Sequence, residues 1–355
     1  MSLAKCGYRQ VERRELGKRC SFLAAALCVF VGLDAVAVEL APCLELRGDG
    51  HAAVQREAIS AAAPSEIEHD LSLLGTLAIG EHGRVWMQVA KLSETRRVKL
   101  DFLCFDRDLT PQTTLRIGQT RLPLGFYNET RDLQALRVSA SLPLLHGGDE
   151  GPLDEGLRGV VVDHRFSASE WVKFGIAAFL AWAVVPDALR AERGSVGGGR
   201  LSWDMPWPGL TFKLSGYGGR LEDVETGANV RQREQILVAS AQYESGPWAL
   251  AAEGAQTQAA NHRHRVAHVQ AARDLVPQWR AFVRAESLRD ADPSSNEPAR
   301  RRKRLSVGAA WQAAAHWGLR VEAARNSGRL DEFPEGVTPD TARSRWTATA
   351  ERLPT

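Results

Sequence analysis

The chain has 355 residues, of which 44% are hydrophobic and 25% are charged, and its formal net charge is +2. This length suits two or three ordinary domains or one large barrel, and the hydrophobic share argues against a chain made mainly of long apolar helices. The first 37 residues hold six basic and three acidic residues, so the remainder is close to neutral. A near-neutral chain gives no reason to expect a nucleic-acid partner.

Residues 1–37 have the pattern of a bacterial secretory signal peptide. Basic residues come first, the apolar stretch SFLAAALCVFVG follows at 21–32, and the small-x-small sequence AVA ends the segment. The alternative is a membrane-anchor helix, but the apolar run before Asp34 is shorter than the roughly 20 residues that span a bilayer. We therefore expect a secreted mature chain of residues 38–355.

The mature chain alternates apolar and polar residues in about sixteen segments of roughly ten residues, separated by turn signals. Short turns, such as those near Pro206 and Pro247, join some segments. Long polar stretches join others, at 220–233, 257–265, 288–303 and 327–343. Short turns on one side and long loops on the other are typical of outer-membrane barrels.

These patterns predict an all-β fold, a transmembrane antiparallel β-barrel of about 16 strands, and a cell outer membrane location. A barrel of this size leaves an aqueous channel, and its closure leaves no sheet edge exposed to lipid. In HWGLRVEAAR (316–325) we expect Trp317, Leu319, Val321 and Ala323 to face lipid, and Arg320, Glu322 and Arg325 to lie on or near the water side. The alternative fold is a secreted β-sandwich binding protein, whose apolar faces would meet each other.

Several tryptophans lie close to the predicted short turns. Because indole rings favour the membrane–water interface, we predict one aromatic girdle at the periplasmic rim. Its members are Trp207, Trp248, Trp279, Trp311 and Trp317. The alternative is that these side chains fill core space near the turns.

The sequence TLRIGQTRLPLGFYNETRD (114–132), with SLLG upstream at 72–75, breaks the hairpin rhythm and is followed by a region without strand alternation. These motifs resemble uncharacterised porin-like outer-membrane proteins of Gram-negative bacteria, which are distant relatives of general and anion-selective porins. The resemblance is sharpest over 70–165. It implies a passive diffusion barrel without catalytic residues, in which 121–155, after the fifth predicted strand, folds inward as a constriction loop.

If this loop enters the channel, opposite charges across a narrow opening select solutes by charge and size. The constriction candidates on the loop are Arg121, Tyr127, Asn128, Glu129, Arg131, Asp132 and Arg137. The alternative is that Asn128 to Asp132 form a hydrogen-bonded turn that only holds the loop. Candidates on the facing wall are Lys99, Arg116 and Lys173, each of which could instead be an ordinary solvated charge.

The sequence does not favour an enzyme. It contains no G-x-S-x-G motif, so a barrel lipase or protease is only an alternative. His262, His264 and His268 alternate along an extended segment, where such residues lie about 7 Å apart, so we expect no metal and no other cofactor.

We expect a porin for small hydrophilic solutes or ions, in contact with outer-membrane lipid and lipopolysaccharide and able to form a homotrimer. The basic run ARRRKR (299–304), placed in a long loop, could meet lipopolysaccharide phosphates or anionic solutes, or could simply be solvated. The last residue is Thr355, whereas outer-membrane barrels usually end in an aromatic residue that the insertion machinery reads. This ending puts efficient assembly in question.

Overall fold

The computed structural model describes residues 37–41, 44–57, 66–91, 98–131, 137–146, 153, 155–169, 172–185, 192–222, 231–259, 262–291, 300–314, 317–329 and 343–351. The predicted signal peptide, apart from Ala37, and the constriction candidate Asp132 lie outside these residues. The described part contains no helix long and apolar enough to cross a membrane.

The described residues form seventeen strands: β1 (Ala37–Ala41), β2 (Leu44–Glu57), β3 (Glu66–Ile79), β4 (Gly83–Lys91), β5 (Val98–Thr110), β6 (Thr113–Arg121), β7 (Gly156–Ser167), β8 (Lys173–Val185), β9 (Glu192–Asp204), β10 (Leu210–Glu222), β11 (Arg231–Ser245), β12 (Trp248–Ala259), β13 (His262–Val276), β14 (Trp279–Ala291), β15 (Arg300–Ala314), β16 (Trp317–Arg329) and β17 (Arg343–Glu351). A short 3₁₀ helix spans Asn128–Thr130. Each of the sixteen predicted segments overlaps one strand from β2 to β17.

All strands belong to one antiparallel sheet in which neighbours in sequence pair with each other. Pairing then returns from β17 to β2, where Arg345 lies opposite Glu57 and Glu351 opposite His51. The additional strand β1 pairs with the start of β2. The sequence pattern did not predict β1, because five residues beside an expected cleavage site are too few to show alternation.

The two faces of the sheet invert the usual distribution of side chains. On one face, which we call the outer face, Leu180 is 72% exposed and Val269 is 60% exposed. On the opposite, inner face, Arg284 is fully buried and Glu322 is 1% exposed. A water-soluble sandwich would bury the apolar set, so this distribution contradicts the sandwich alternative and is what a lipid-facing sheet requires.

Strand β16 follows this rule, with one correction to the sequence prediction. Arg320 and Glu322 are buried on the inner face, and Val321 is exposed on the outer face, as predicted. Arg325 was expected near the water side, but it is exposed on the outer face with Val321. Residues four apart in a strand share a face, so the strand continues past its apolar part and carries Arg325 outward.

The basic run at 299–304 also needs correction. It was placed in a loop, but β15 begins at Arg300, so five of its six residues are in a strand. Charged residues at a strand end hide the alternation of apolar and polar residues. This is why the sequence pattern shows the strand only after its first, basic residues.

Between β6 and β7 the chain leaves the sheet and packs against its inner face. We call residues 122–146 the inner segment; its described parts are 122–131 and 137–146. An apolar core joins it to the sheet. This core includes Leu122, Leu124, Leu144 and Leu145 of the inner segment, and Leu157, Phe179, Val238 and Val266 of the strands.

Candidate functional site

The inner segment begins with a turn that only glycine allows. Gly125 has a φ of 62°, in the left-handed region. A Cβ at this position would lie 2.4 Å from Oε1 of Glu253 on β12. The backbone N–H of Gly125 donates to Oγ of Ser215 on β10 at 3.0 Å. The missing side chain therefore lets the backbone lie directly against the inner face.

Several constriction candidates tie the start of the connection between β6 and β7 to its end, just before β7. Arg121 pairs with Asp101 at 3.2 Å and with Glu155 at 3.0 Å, and Arg131 pairs with Glu155 at 2.9 Å. Asn128 is buried, and its amide donates to the carbonyl oxygens of Leu122 and Glu155. These contacts hold the loop in place. This is the role that Asn128 has in the alternative in which residues 128–132 form a hydrogen-bonded turn.

A buried cluster fixes the middle of the segment to β12 and β13. Nε2 of His146 lies 2.7 Å from Oε2 of Glu253. Glu253 also accepts hydrogen bonds from the backbone N–H of Phe126 and from Oγ of Ser240. Ring contacts at 5.7 Å join Tyr127 to His146 and to His268.

Tyr127 is therefore a packing residue rather than an exposed one. Nε2 of Gln270 donates to its hydroxyl at 3.3 Å. Burial, together with the nearby carboxylate of Glu253, raises the pKa of Tyr127 to about 12. The phenol is neutral at ordinary pH and contributes no charge.

A second buried network fixes the end of the segment to β14, β15 and β16. Arg284 pairs with Glu286 at 3.0 Å and with Glu322 at 3.1 Å, and Arg304 pairs with Glu286. The segment completes the network through polar groups. The backbone N–H of Ser141 donates to Glu322 at 2.9 Å, and that of Leu144 donates to Glu286 at 2.6 Å.

Arg137 is also held on β16 and is 6% exposed. Its backbone carbonyl accepts a hydrogen bond from Nε of Arg320 at 2.7 Å. Sequence reasoning did not identify Glu155, Glu253, Glu286 or Glu322, the acidic partners of the segment. The strand positions of Glu253, Glu286 and Glu322 were visible in the alternation, but the part of the chain that each one meets was not.

Glu129 is the loop candidate that stays open to solvent on the inner side. It pairs with Arg200 on β9, which also binds Asp163 at 3.2 Å. Its carboxylate also attracts Arg116 on β6 and Lys213 on β10. The arrangement sets one acidic group of the inner segment against three cations of the wall, two of which also pair with aspartates of the wall.

The three predicted wall residues are placed differently. Arg116 forms a two-point ion pair with Asp106, with N···O distances of 2.7 and 2.9 Å. Lys99 lies opposite Ala90 on the inner face, and Lys173 is exposed at the first position of β8. Neither lysine forms an ion pair with another described residue. Arg200 and Lys213 were not predicted.

The predicted aromatic residues lie at the end of the sheet that carries the short turns. Trp207 is 65% exposed, and Trp279 stacks on Trp311 with ring centroids 5.6 Å apart. Trp248 is exposed and lies under Arg273. The side chain of Trp317 is outside the described residues. Further rings at the same end, Phe166, Phe174 and Trp203, form a stacked row that sequence reasoning missed.

The described residues contain no group of three His, Cys, Asp or Glu side chains that could hold a metal ion. His264 lies 3.4 Å from Asp290 instead. The described part of the site consists of paired charges and packed rings.

No family model and no curated protein matches this chain. Solved structures do match it. The trimer form of OmpT from Vibrio cholerae has a TM-score of 0.59 at 9% identity, over 87% of this chain and 98% of that one. The anion-selective porin of Comamonas acidovorans has a TM-score of 0.59 at 10% identity, over 87% and 99%.

OmpF of Salmonella typhi, in complex with daunomycin, has a TM-score of 0.58 at 12% identity, over 86% of this chain and 97% of that one. Such low identities show the fold alone. The chain has the porin-like outer-membrane β-barrel fold, as the sequence resemblance implied.

Proposed function

We propose that this protein is an outer-membrane porin, in which strands β2 to β17 form a closed transmembrane barrel around a water-filled channel. The observation that carries the proposal is the distribution of side chains on the sheet. Apolar side chains are exposed on one face, and charged side chains are buried on the other. Only a sheet with lipid outside and water or polar groups inside satisfies both sets. The protein has no catalytic role in this proposal.

The inner segment is the constriction of this channel. It leaves the sheet between β6 and β7, yet its hydrogen bonds reach β10, β12, β14, β15 and β16. A segment that bonds to strands so far around the sheet crosses the interior. It packs against part of the inner face of β7–β13 through the apolar core, and Glu129 stays open to solvent.

The charges that face the channel are fewer than the sequence suggested. Arg121, Asn128 and Arg131 hold the segment, Tyr127 is packed against two histidines, and Arg137 is buried. The charged groups that select solutes are Glu129 on the segment and three cations on the wall, namely Arg116, Arg200 and Lys213. Opposite charges across a narrow opening create a transverse field that acts on charged solutes.

Secretion through the predicted signal peptide, insertion beside lipopolysaccharide and assembly as a homotrimer complete the proposal. The trimer form of the OmpT structure supports the last point, since the folds match.

The test is the swelling of vesicles that contain the purified full chain, in sugars of increasing size. A porin predicts swelling rates that fall steeply with solute size. Inserted, folded protein that gives no swelling in the smallest sugar would contradict the proposal.

The constriction is tested by Glu129→Gln, with Asp108→Asn as the matched control. Asp108 is also a carboxylate on the inner face, but it lies near the end of β5 and pairs with Arg84. Removing the negative charge of Glu129 should shift the reversal potential under a salt gradient towards anions. Asp108→Asn should shift the reversal potential less. Equal shifts in the two variants would contradict the proposed role of Glu129 in the constriction.

A further inference from the structure

Two buried histidines approach one carboxylate where the inner segment meets β12 and β13. Oε2 of Glu253 lies 2.7 Å from Nε2 of His146 and 3.8 Å from Nε2 of His268. All three side chains are fully buried. We call these three residues the histidine cluster. The cluster is uneven, because the first distance is that of a hydrogen bond and the second is too long for one.

His268 is the unusual member of the cluster. Neither ring nitrogen of His268 has a hydrogen-bond partner among the described residues. A neutral imidazole carries one N–H donor and one acceptor nitrogen, so both are unused here. Because a buried polar group without a partner is destabilising, His268 gains from any rearrangement that brings water to its ring.

Charged and titratable groups face the cluster from the inner segment and from β10, β14, β15 and β16. They are Tyr127, Arg137, Lys213, Arg284, Glu286, Arg304 and Glu322. Tyr127 is neutral, and Glu286 and Glu322 already bind arginines. Within the described ranges, Glu253 is therefore the carboxylate that has to balance any positive charge on the two histidines.

One carboxylate can balance one imidazolium but not two. A proton on His146 turns its hydrogen bond with Glu253 into an ion pair. A second proton, on His268, adds a buried positive charge that Glu253 no longer balances, and burial disfavours such a charge. If the inner segment moves away from β12 and β13, the ring of His268 meets the water of the channel and can carry the proton.

We propose that acid releases the inner segment from β12 and β13 through protonation of His268, and thereby widens the channel. In water a histidine takes up its proton at about pH 6.5. The attached form is therefore favoured above this pH and loses ground below it, by up to about 10-fold for each pH unit. The widening rests on the proposed function, whereas the release of the segment can be measured without a conducting channel.

Hydrogen exchange of the full chain in detergent, at about pH 7.5 and about pH 5.5, tests the release directly. Exposed carboxylates stay ionised over this range, so histidines dominate the change in charge. We expect the protection of 125–127 to fall by about 10-fold in acid, after correction for the pH dependence of exchange itself. The protection of β12 and β13 should change little. Unchanged protection of 125–127 in the wild type would overturn the proposal without any variant.

The variant His268→Gln should keep 125–127 protected in acid, because an amide takes up no proton in this range. The matched control is His264→Gln, which removes another inner-face histidine of β13, one that lies 3.4 Å from Asp290. This control should lose protection in acid as the wild type does. Loss of protection in His268→Gln, or its retention in His264→Gln, would refute the role of His268.

Channel conductance separates this inference from the proposed function. Over the same pH range, the wild type should spend about 10-fold more time in a larger conductance step, relative to its ordinary step. Protein that conducts equally at both pH values and keeps its protection would refute the release alone. Loss of protection with unchanged conductance steps would refute the widening, and loss of protection in protein that never conducts would refute the channel.

Discussion

The inner and outer faces of β14–β16 use arginine in opposite ways. On the inner face, Arg284 and Arg304 are buried and bind glutamates or groups of the inner segment. On the outer face, Arg289 and Arg301 are exposed, have no acidic partner among the described residues, and lie at the strand ends beyond the apolar band.

The difference between the two faces shows how each arginine in this protein finds its counter-charge. A buried arginine must find its counter-charge within the fold, since an unpaired buried charge is strongly destabilising. An arginine beyond the apolar band can take its counter-charge from outside. Because successive residues alternate between faces, a register shift of one residue would exchange the two sets.

The largest loss of stability should come from breaking the buried ion pairs of the inner face. Glu286→Ala leaves Arg284 and Arg304 without a shared carboxylate in a buried site, and removing one partner of a buried pair costs about 3–5 kcal/mol. Urea unfolding in detergent should show this loss. Glu129→Ala, which removes a carboxylate at the solvent-open side of the segment, is the control and should change stability far less. Similar losses in both variants would contradict the role of burial.

The next effect should come from placing a charge in the apolar part of the outer face. Val307 is 50% exposed in the middle of β15. Val307→Arg should lower the free energy of unfolding in lipid vesicles by about 2–4 kcal/mol, if the site lies near the bilayer midplane. Val307→Ala tests the loss of volume without the charge. If Val307→Arg is no worse than Val307→Ala, the outer face does not meet lipid.

The attachment of the inner segment is tested by Gly125→Ala. The left-handed backbone and the close carboxylate of Glu253 leave no room for a methyl group. We expect a local cost of about 1–3 kcal/mol, seen as faster hydrogen exchange in 125–146 with little change in the strands. Gly246→Ala is the control, since it has a similar φ at a turn but open space around its Cβ position. Equal exchange in both variants would mean that the close approach to Glu253 is unimportant.

The smallest effect should come from the aromatic end of the outer face. Trp279 and Trp311 stack at 5.6 Å, and such a pair contributes about 0.5–1.5 kcal/mol beyond its buried area. A double-mutant cycle of Trp279→Leu and Trp311→Leu, measured by unfolding in vesicles, should give a coupling energy in this range. A coupling of zero would mean that the two rings act independently.

The fold was predictable because its signals are local. Alternation along ten residues and a turn such as Ser245-Gly246-Pro247 each need only neighbouring residues. The corrections fall where this signal ends. Arg300 and Arg325 lie in the charged end parts of β15 and β16. There, no alternation of apolar side chains indicates a strand.

The site was less predictable because its contacts are distant in sequence. Ser141 binds Glu322 across 181 residues, and His146 binds Glu253 across 107. Short-range patterns identified 121–155 as unusual, but they could not show which strands it would meet. For the same reason Glu129 could not be separated from Arg121 and Arg131, which hold the segment in place.

The central claim is that the inner face of β2–β17 borders a water-filled channel narrowed by the inner segment. Single-channel recording of the purified full chain in a planar bilayer tests it most directly. The account predicts discrete conductance steps, and larger steps in Glu253→Ala, because the segment loses its anchor on β12. Folded, inserted wild-type protein without any steps would contradict the account.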